Sequence, residues 1–146
     1  MHHLLLIIHL LAATVWVGGH LVLCVGILPA ALRSNDPQPV LAFENRYEKI
    51  GIPALLLLVL TGIWMSYLYG VPASDWLEFD LPIESVISTK LLLLLATIVL
   101  GAHGRLRIIP KLNQSNLKLM AAHIVVITLL GIALLTVGTF VRFGGM

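Results

Sequence analysis

Charge is scarce in this chain. Nine Lys and Arg and seven Asp and Glu make up 11% of 146 residues, while 59% are hydrophobic. A mean hydropathy of +1.01 is too apolar for an ordinary soluble domain, and the solvent that accepts such a surface is lipid. The single cysteine, Cys24, excludes a disulfide within one chain and any Cys-x-x-Cys motif. No basic stretch interleaved with aromatics is present, so a net charge of +2 gives nucleic acid nothing to bind. A glycine-rich phosphate loop and a Ser-His-Asp set are also missing, which removes the usual signatures of phosphoryl and acyl transfer. Enzymatic activity is not expected, unless as a haem-dependent membrane oxidoreductase.

What the chain does contain is four long apolar runs, roughly 4–28, 50–69, 86–108 and 119–141, none holding an acidic residue. Runs of about 20 apolar residues match the hydrocarbon thickness of a bilayer. The first run has no basic residue before it, is too long for a signal core and lacks a small-residue cleavage site, so it is expected to be retained as a helix. The expected fold is all-α: one integral-membrane domain over 1–146, a four-transmembrane-helix up-down bundle. "FENRYEKIGIP" spaces Phe43, Tyr47 and Ile50 at helical intervals and predicts an extension of the second helix that tolerates Pro53. Pro110 is expected to close the third helix, and Trp76 and Phe79 to rest at headgroup level in the loop between Pro72 and Pro82.

All Lys and Arg except Lys90 and Arg142 flank the first and third connections. Because basic residues resist translocation, this predicts a membrane protein with both termini outside the cytoplasm. The acidic 70–89 loop, with Asp75, Glu78, Asp80 and Glu84, would then lie outside as well.

Histidine stands out against so apolar a background. Counted along the helices, His20, His103 and His123 fall in one layer toward the basic side, and His9 and Lys90 in a second layer on the other side of the midplane. His9, Ala13, Trp16 and His20 share one stripe of the first helix, which should face the bundle. On the third helix Lys90 and His103 point about 140° apart, so one of them faces a neighbour or snorkels. A neutral imidazole can simply hydrogen-bond between helices, but three at one depth point to a shared metal or cofactor site. His2 and His3, at the terminus, carry no such expectation.

Two cofactor chemistries suit these residues. Copper needs a compact set of imidazoles, with sulfur favoured for the reduced ion, and Met120 is the sulfur best placed. A b-type haem needs axial imidazoles and a slot free of bulk, which Gly18, Gly19, Gly101 and Gly104 would clear beside His20 and His103. Cys24, Trp16, Trp64 and Tyr67 are read as packing residues or interface anchors.

"HLLAATVWVGG", "FENRYEKIGIPALLLLVLTG" and "STKLLLLLATIVLGAHGRLRIIPKL", followed by a fourth helix, resemble the CopD copper-resistance membrane domain along nearly the whole chain. The first helix, with its His, Trp and "LP" ending, is also similar to HemJ, the haem-associated protoporphyrinogen oxidase family, whose third helix likewise opens with a Lys. The resemblance draws attention to His9 and Lys90. It implies copper handling or transport in a bacterial inner membrane, for which the histidines counted above, His9, His20, His103 and His123, are the candidate ligands. The alternatives are a b-type haem protein with a membrane redox partner, and a structural subunit of a membrane complex whose histidines pack.

Overall fold

The computed structural model describes residues 2–145, with side chains from His3 onward, and the described residues form helices, turns and loops without a strand. Helix α1 (His2–Leu21) runs through a π-helical turn at Val22–Ile27 into α2 (Leu28–Ser34), giving span I, His3–Ser34. Helix α3 (Gln38–Leu68) is span II. Helix α4 (Pro82–His103) continues through a π turn at Gly104–Ile108 and a 3-10 turn at Ile109–Lys111 to make span III, Pro82–Lys111. Helix α5 (Leu117–Phe140), with a closing 3-10 turn at Val141–Phe143, is span IV.

At 27 to 32 residues each, these spans exceed the roughly 20 residues a bilayer core requires. They therefore tilt or carry their polar tips into the headgroups. The expected extension of the second helix is present and continuous through Pro53. The longer spans correct one expectation: Glu44 and Glu48 lie inside span II and Glu84 inside span III. Glu84 is buried in the first turn of α4, where its carboxylate accepts the Leu81 N–H at 3.0 Å, satisfying one of the donors a helix N-terminus leaves open.

Local chemistry explains where the helices stop and bend. Asn35 takes a left-handed conformation at the end of α2, a role its short polar side chain tolerates, and the Asp36 carboxylate then accepts the Gln38 N–H. The two π turns share a cause. Pro29 and Pro110 each lie two residues beyond a π turn, and each removes a backbone donor and crowds the carbonyl one turn back. The chain widens to absorb the defect: the N–H groups of Leu28 and Ile109 reach five residues back, to Leu23 and Gly104.

Span I packs against span II and span III against span IV, while I and IV join the two hairpins. Spans II and III scarcely touch, so the bundle runs in the order II, I, IV, III and stays open between its two outer members. Leu23, Leu28, Ala31, Val40, Ile108 and Met120 close the core at the end carrying the I–II and III–IV connections, here called the basic end. Trp16, Val17, Ala54 and Ile127 fill the middle. Leu60, Leu95 and Leu129 remain more than half exposed, a pattern stable only where the surroundings are lipid. Thr14, Thr61, Thr97, Thr128 and Thr136 each donate to the carbonyl four residues back, which keeps their hydroxyls satisfied inside an apolar medium.

Spans I and II meet over a tyrosine. The Tyr47 ring lies where a Cβ on Gly19 would come within 2.1 Å and one on Gly51 within 2.7 Å, and its hydroxyl donates to the Trp16 carbonyl at 2.7 Å. Gly19→Ala is therefore expected to destabilise the protein by about 1–3 kcal/mol through overpacking. Gly18→Ala, which meets nothing within 4 Å, should be close to neutral. Thermal unfolding of both variants in the same detergent checks this, and equal midpoints would refute it.

Candidate functional site

The parting of spans II and III leaves a cleft of about 300 Å³ that reaches inward from the basic end, the lower limit for pockets that hold small ligands, roughly 300–1,000 Å³. Each span brings one face to it. On α3, Glu44, Tyr47, Glu48, Gly51 and Leu55 recur at helical spacing and all line the cleft. Thr97, Gly101 and Arg105 do the same from span III. Trp16 and His20 form the wall from span I, and Met120 and His123 that from span IV.

The protonation of His20 follows from its partner. Its Nδ1 lies 2.9 Å from the Trp16 carbonyl oxygen, which can only accept, so Nδ1 carries the hydrogen and Nε2 keeps its lone pair. Nothing among the described residues hydrogen-bonds that second nitrogen. The ring is held in place by Trp16, at a centroid distance of 4.5 Å, and by the edge of Tyr47, at 5.6 Å. A histidine fixed through Nδ1–H to a carbonyl, with Nε2 open, is in the state a metal ligand requires.

His123 is prepared in the same way. Its Nδ1 donates to the Leu119 carbonyl at 3.0 Å, so its Nε2 accepts the hydrogen bond of 2.9 Å from His103 Nδ1. The two rings stack with centroids 5.0 Å apart. His103 is exposed on the outside of span III and is not among the residues lining the cleft, whereas His123 is half-buried and lines it. The layer expected from depth is thus split: His20 and His123 face one space, and His103 supports His123 from outside.

His9 and Lys90 lie away from this cleft, toward the end carrying both termini. The Thr61 hydroxyl gives its proton to the Leu57 carbonyl at 2.5 Å and accepts from His9 Nδ1 at 2.7 Å, which again leaves Nε2 free. Lys90 is half-buried and has no ion pair or hydrogen bond among the described residues. Its ammonium is near Gly138 of span IV, where an added Cβ would be 3.5 Å away, and within electrostatic range of His9. The stripe of His9, Ala13, Trp16 and His20 does turn inward: Ala13 and Trp16 are buried and His9 reaches span II.

The four histidines do not form a single cluster. Among the described residues no three His, Cys, Asp or Glu side chains converge on one metal-sized point. The glycines also divide. Gly19 is filled by Tyr47, and Gly18 opens onto a shallow groove between spans I and IV, leaving Gly101 and Gly104 at the cleft. Cys24 packs against the basic-end core as a free thiol, and Met120 is buried at the cleft wall.

Glu44, Tyr47, Glu48 and Arg105 complete the site and were not anticipated. Their signal was present in the spacing of Glu44, Tyr47, Glu48 and Gly51, which is the pattern of one helical face. Arg105 bridges the gap between spans III and II in an ion pair with Glu48. The π turn of span I starts two residues after His20, and that of span III directly after His103. Such turns are rare and recur at functional sites.

These features define a class: a four-span membrane protein with a lateral, histidine-bearing cleft. The family model CopD, described as copper resistance protein D, matches residues 41–141, and the chain belongs to that family. The matched stretch includes Glu44, Glu48, Lys90, His103, Arg105 and His123; His9 and His20 precede it. Comparisons with curated proteins and with solved structures return no match.

Proposed function

We propose that this copper-resistance membrane protein carries copper ions as cargo through the cleft between spans II and III. His20 is the principal ligand, and His123 and Met120 act from the facing wall. The observation that carries this reading is the orientation of His20, whose Nδ1–H is fixed to a carbonyl while Nε2 stays open on a cleft-lining ring. Neutral imidazole suits copper in both oxidation states, and a thioether such as Met120 adds affinity for the reduced ion. His103 holds His123 in register and becomes a ligand when the ion draws the pair apart. His9, with its own open nitrogen, offers a second stop nearer the termini. The basic end faces the cytoplasm of a bacterial inner membrane, with both termini outside, as the distribution of Lys and Arg supports.

Haem suits the cleft less well, because the ring of Tyr47 already occupies the space beside Gly19 that a macrocycle would need. Metal analysis and the visible spectrum of protein purified in mild detergent, with and without dithionite, test the assignment. The expected result is a colourless protein that retains stoichiometric copper. A reducible Soret band would make it a b-type haem protein, and the absence of both would favour a structural subunit.

A further inference from the structure

At the basic end the cleft is bridged by a single contact. Spans II and III have almost no packing between them, yet the one ion pair found among the described residues, Arg105 with Glu48, joins them there. Both side chains line the cleft and are about a third exposed, at 38% and 31%. The pair therefore holds together two helices that no apolar interface holds. Such a pair is weak enough to break, since partly solvated ion pairs contribute little to stability.

Two further features make it reversible. Arg105 lies within the π turn Gly104–Ile108; moving such a turn by one residue rotates the side chains in it by roughly 100°. Glu44, one turn before Glu48 on the same cleft-lining face, has no ion pair or hydrogen bond among the described residues. It offers a carboxylate to an arriving cation, or to Arg105 once Glu48 lets go.

We infer that Arg105 and Glu48 form a latch that closes the cleft between spans II and III, and that a cation inside the cleft releases it by competing for Glu48 and repelling the guanidinium. The latch stands on geometry alone; its release rests on the reading of the cleft as a copper site. Release obeys the general condition for a ligand-driven change, because the cation interacts differently with the latched and unlatched states.

Pulsed electron-paramagnetic distance measurements test both parts. Nitroxides are placed on the full-length protein at Arg46→Cys of span II and Arg107→Cys of span III, both exposed, in a Cys24→Ser background. Glu48→Gln and Arg105→Gln should each raise the population of longer distances about two- to fivefold, the range expected for losing one partly exposed ion pair. The exchanged pair Glu48→Arg with Arg105→Glu should restore the parent distribution, which separates a latch from general misfolding. Unchanged distances in both single variants, or an exchanged pair that behaves like the singles, would overturn the latch. Cuprous ion, added as its acetonitrile complex without oxygen, should lengthen the distance in the parent and leave His20→Ala unmoved. A working latch indifferent to copper would overturn the release step and count against the copper reading, while leaving the latch in place.

Discussion

Replacing His20 by alanine is expected to weaken copper binding at the cleft by about 100-fold or more. Loss of a supporting residue around a metal typically costs 10–100-fold, and loss of the ligand itself should cost at least the upper figure. Tyr47→Phe should fall at the low end of that range. The Tyr47 hydroxyl and His20 Nδ1 both bond the Trp16 carbonyl, at 2.7 and 2.9 Å, so losing the hydroxyl loosens the carbonyl that sets the tautomer. His103→Ala should also be intermediate, because it removes the donor to His123 without removing a cleft-lining ring. His9→Ala, bonded to Thr61 and absent from the cleft wall, should leave cleft affinity unchanged. Titration against a chromophoric cuprous chelator ranks the four. Equal losses at His9 and His20 would remove the distinction between the two layers, and no loss at His20 would remove the cleft from copper handling.

The sequence is legible where one helix suffices as the frame of reference. The apolar runs announced four spans, and the spacing of His9, Ala13, Trp16 and His20 announced an inward stripe, since both follow from rise and rotation along a single axis. It fell short where the answer depends on which helices touch. His103 and His123 share a depth, yet only His123 reaches the cleft, and depth carries no information on rotation between neighbours. The acidic residues were missed for a different reason: Glu44 and Glu48 lie in the expected extension of the second helix, but only the structure shows that its face continues from Glu44 through Leu55 into the cleft. The π turns were legible only as their causes, Pro29 and Pro110. A proline announces a defect, but whether the chain bends, breaks or widens depends on what packs around it.

The family match adds chemistry to this geometry without placing it. The copper-resistance family assignment motivates the proposal of copper as cargo, and the open ring nitrogen of His20 at the cleft, with Met120 and His123 on the facing wall, is the geometry on which that proposal rests. Among the described residues no three ligands converge ready-made, so on the proposed reading the cleft would draw two or three together around the ion. Two or three ligands that must draw together bind an ion less tightly than a preformed cage, and a transported ion has to leave again.

Lys90→Met is expected to stabilise the bundle, by about 1–3 kcal/mol, while changing how it handles cations. An ammonium within a membrane span is costly, and such residues are kept mainly where they act. Lys90 has neither an ion pair nor a hydrogen bond to offset that cost among the described residues, and its Nζ lies beside Gly138 of span IV, where an added Cβ would be at ordinary contact distance, 3.5 Å. Methionine keeps the length of the chain and removes the charge. Arginine keeps the charge and adds bulk against span IV, so Lys90→Arg should not stabilise and is expected to lower the unfolding midpoint. The position near His9 sets the second expectation: on the proposed reading an ammonium there would oppose a second cation at the open His9 nitrogen, so its removal should let Lys90→Met retain more copper per chain than the parent. Unfolding midpoints in detergent and metal content, measured on the same samples, decide the matter. A headgroup anchor predicts the reverse, with Met destabilising, Arg tolerated and copper content unchanged.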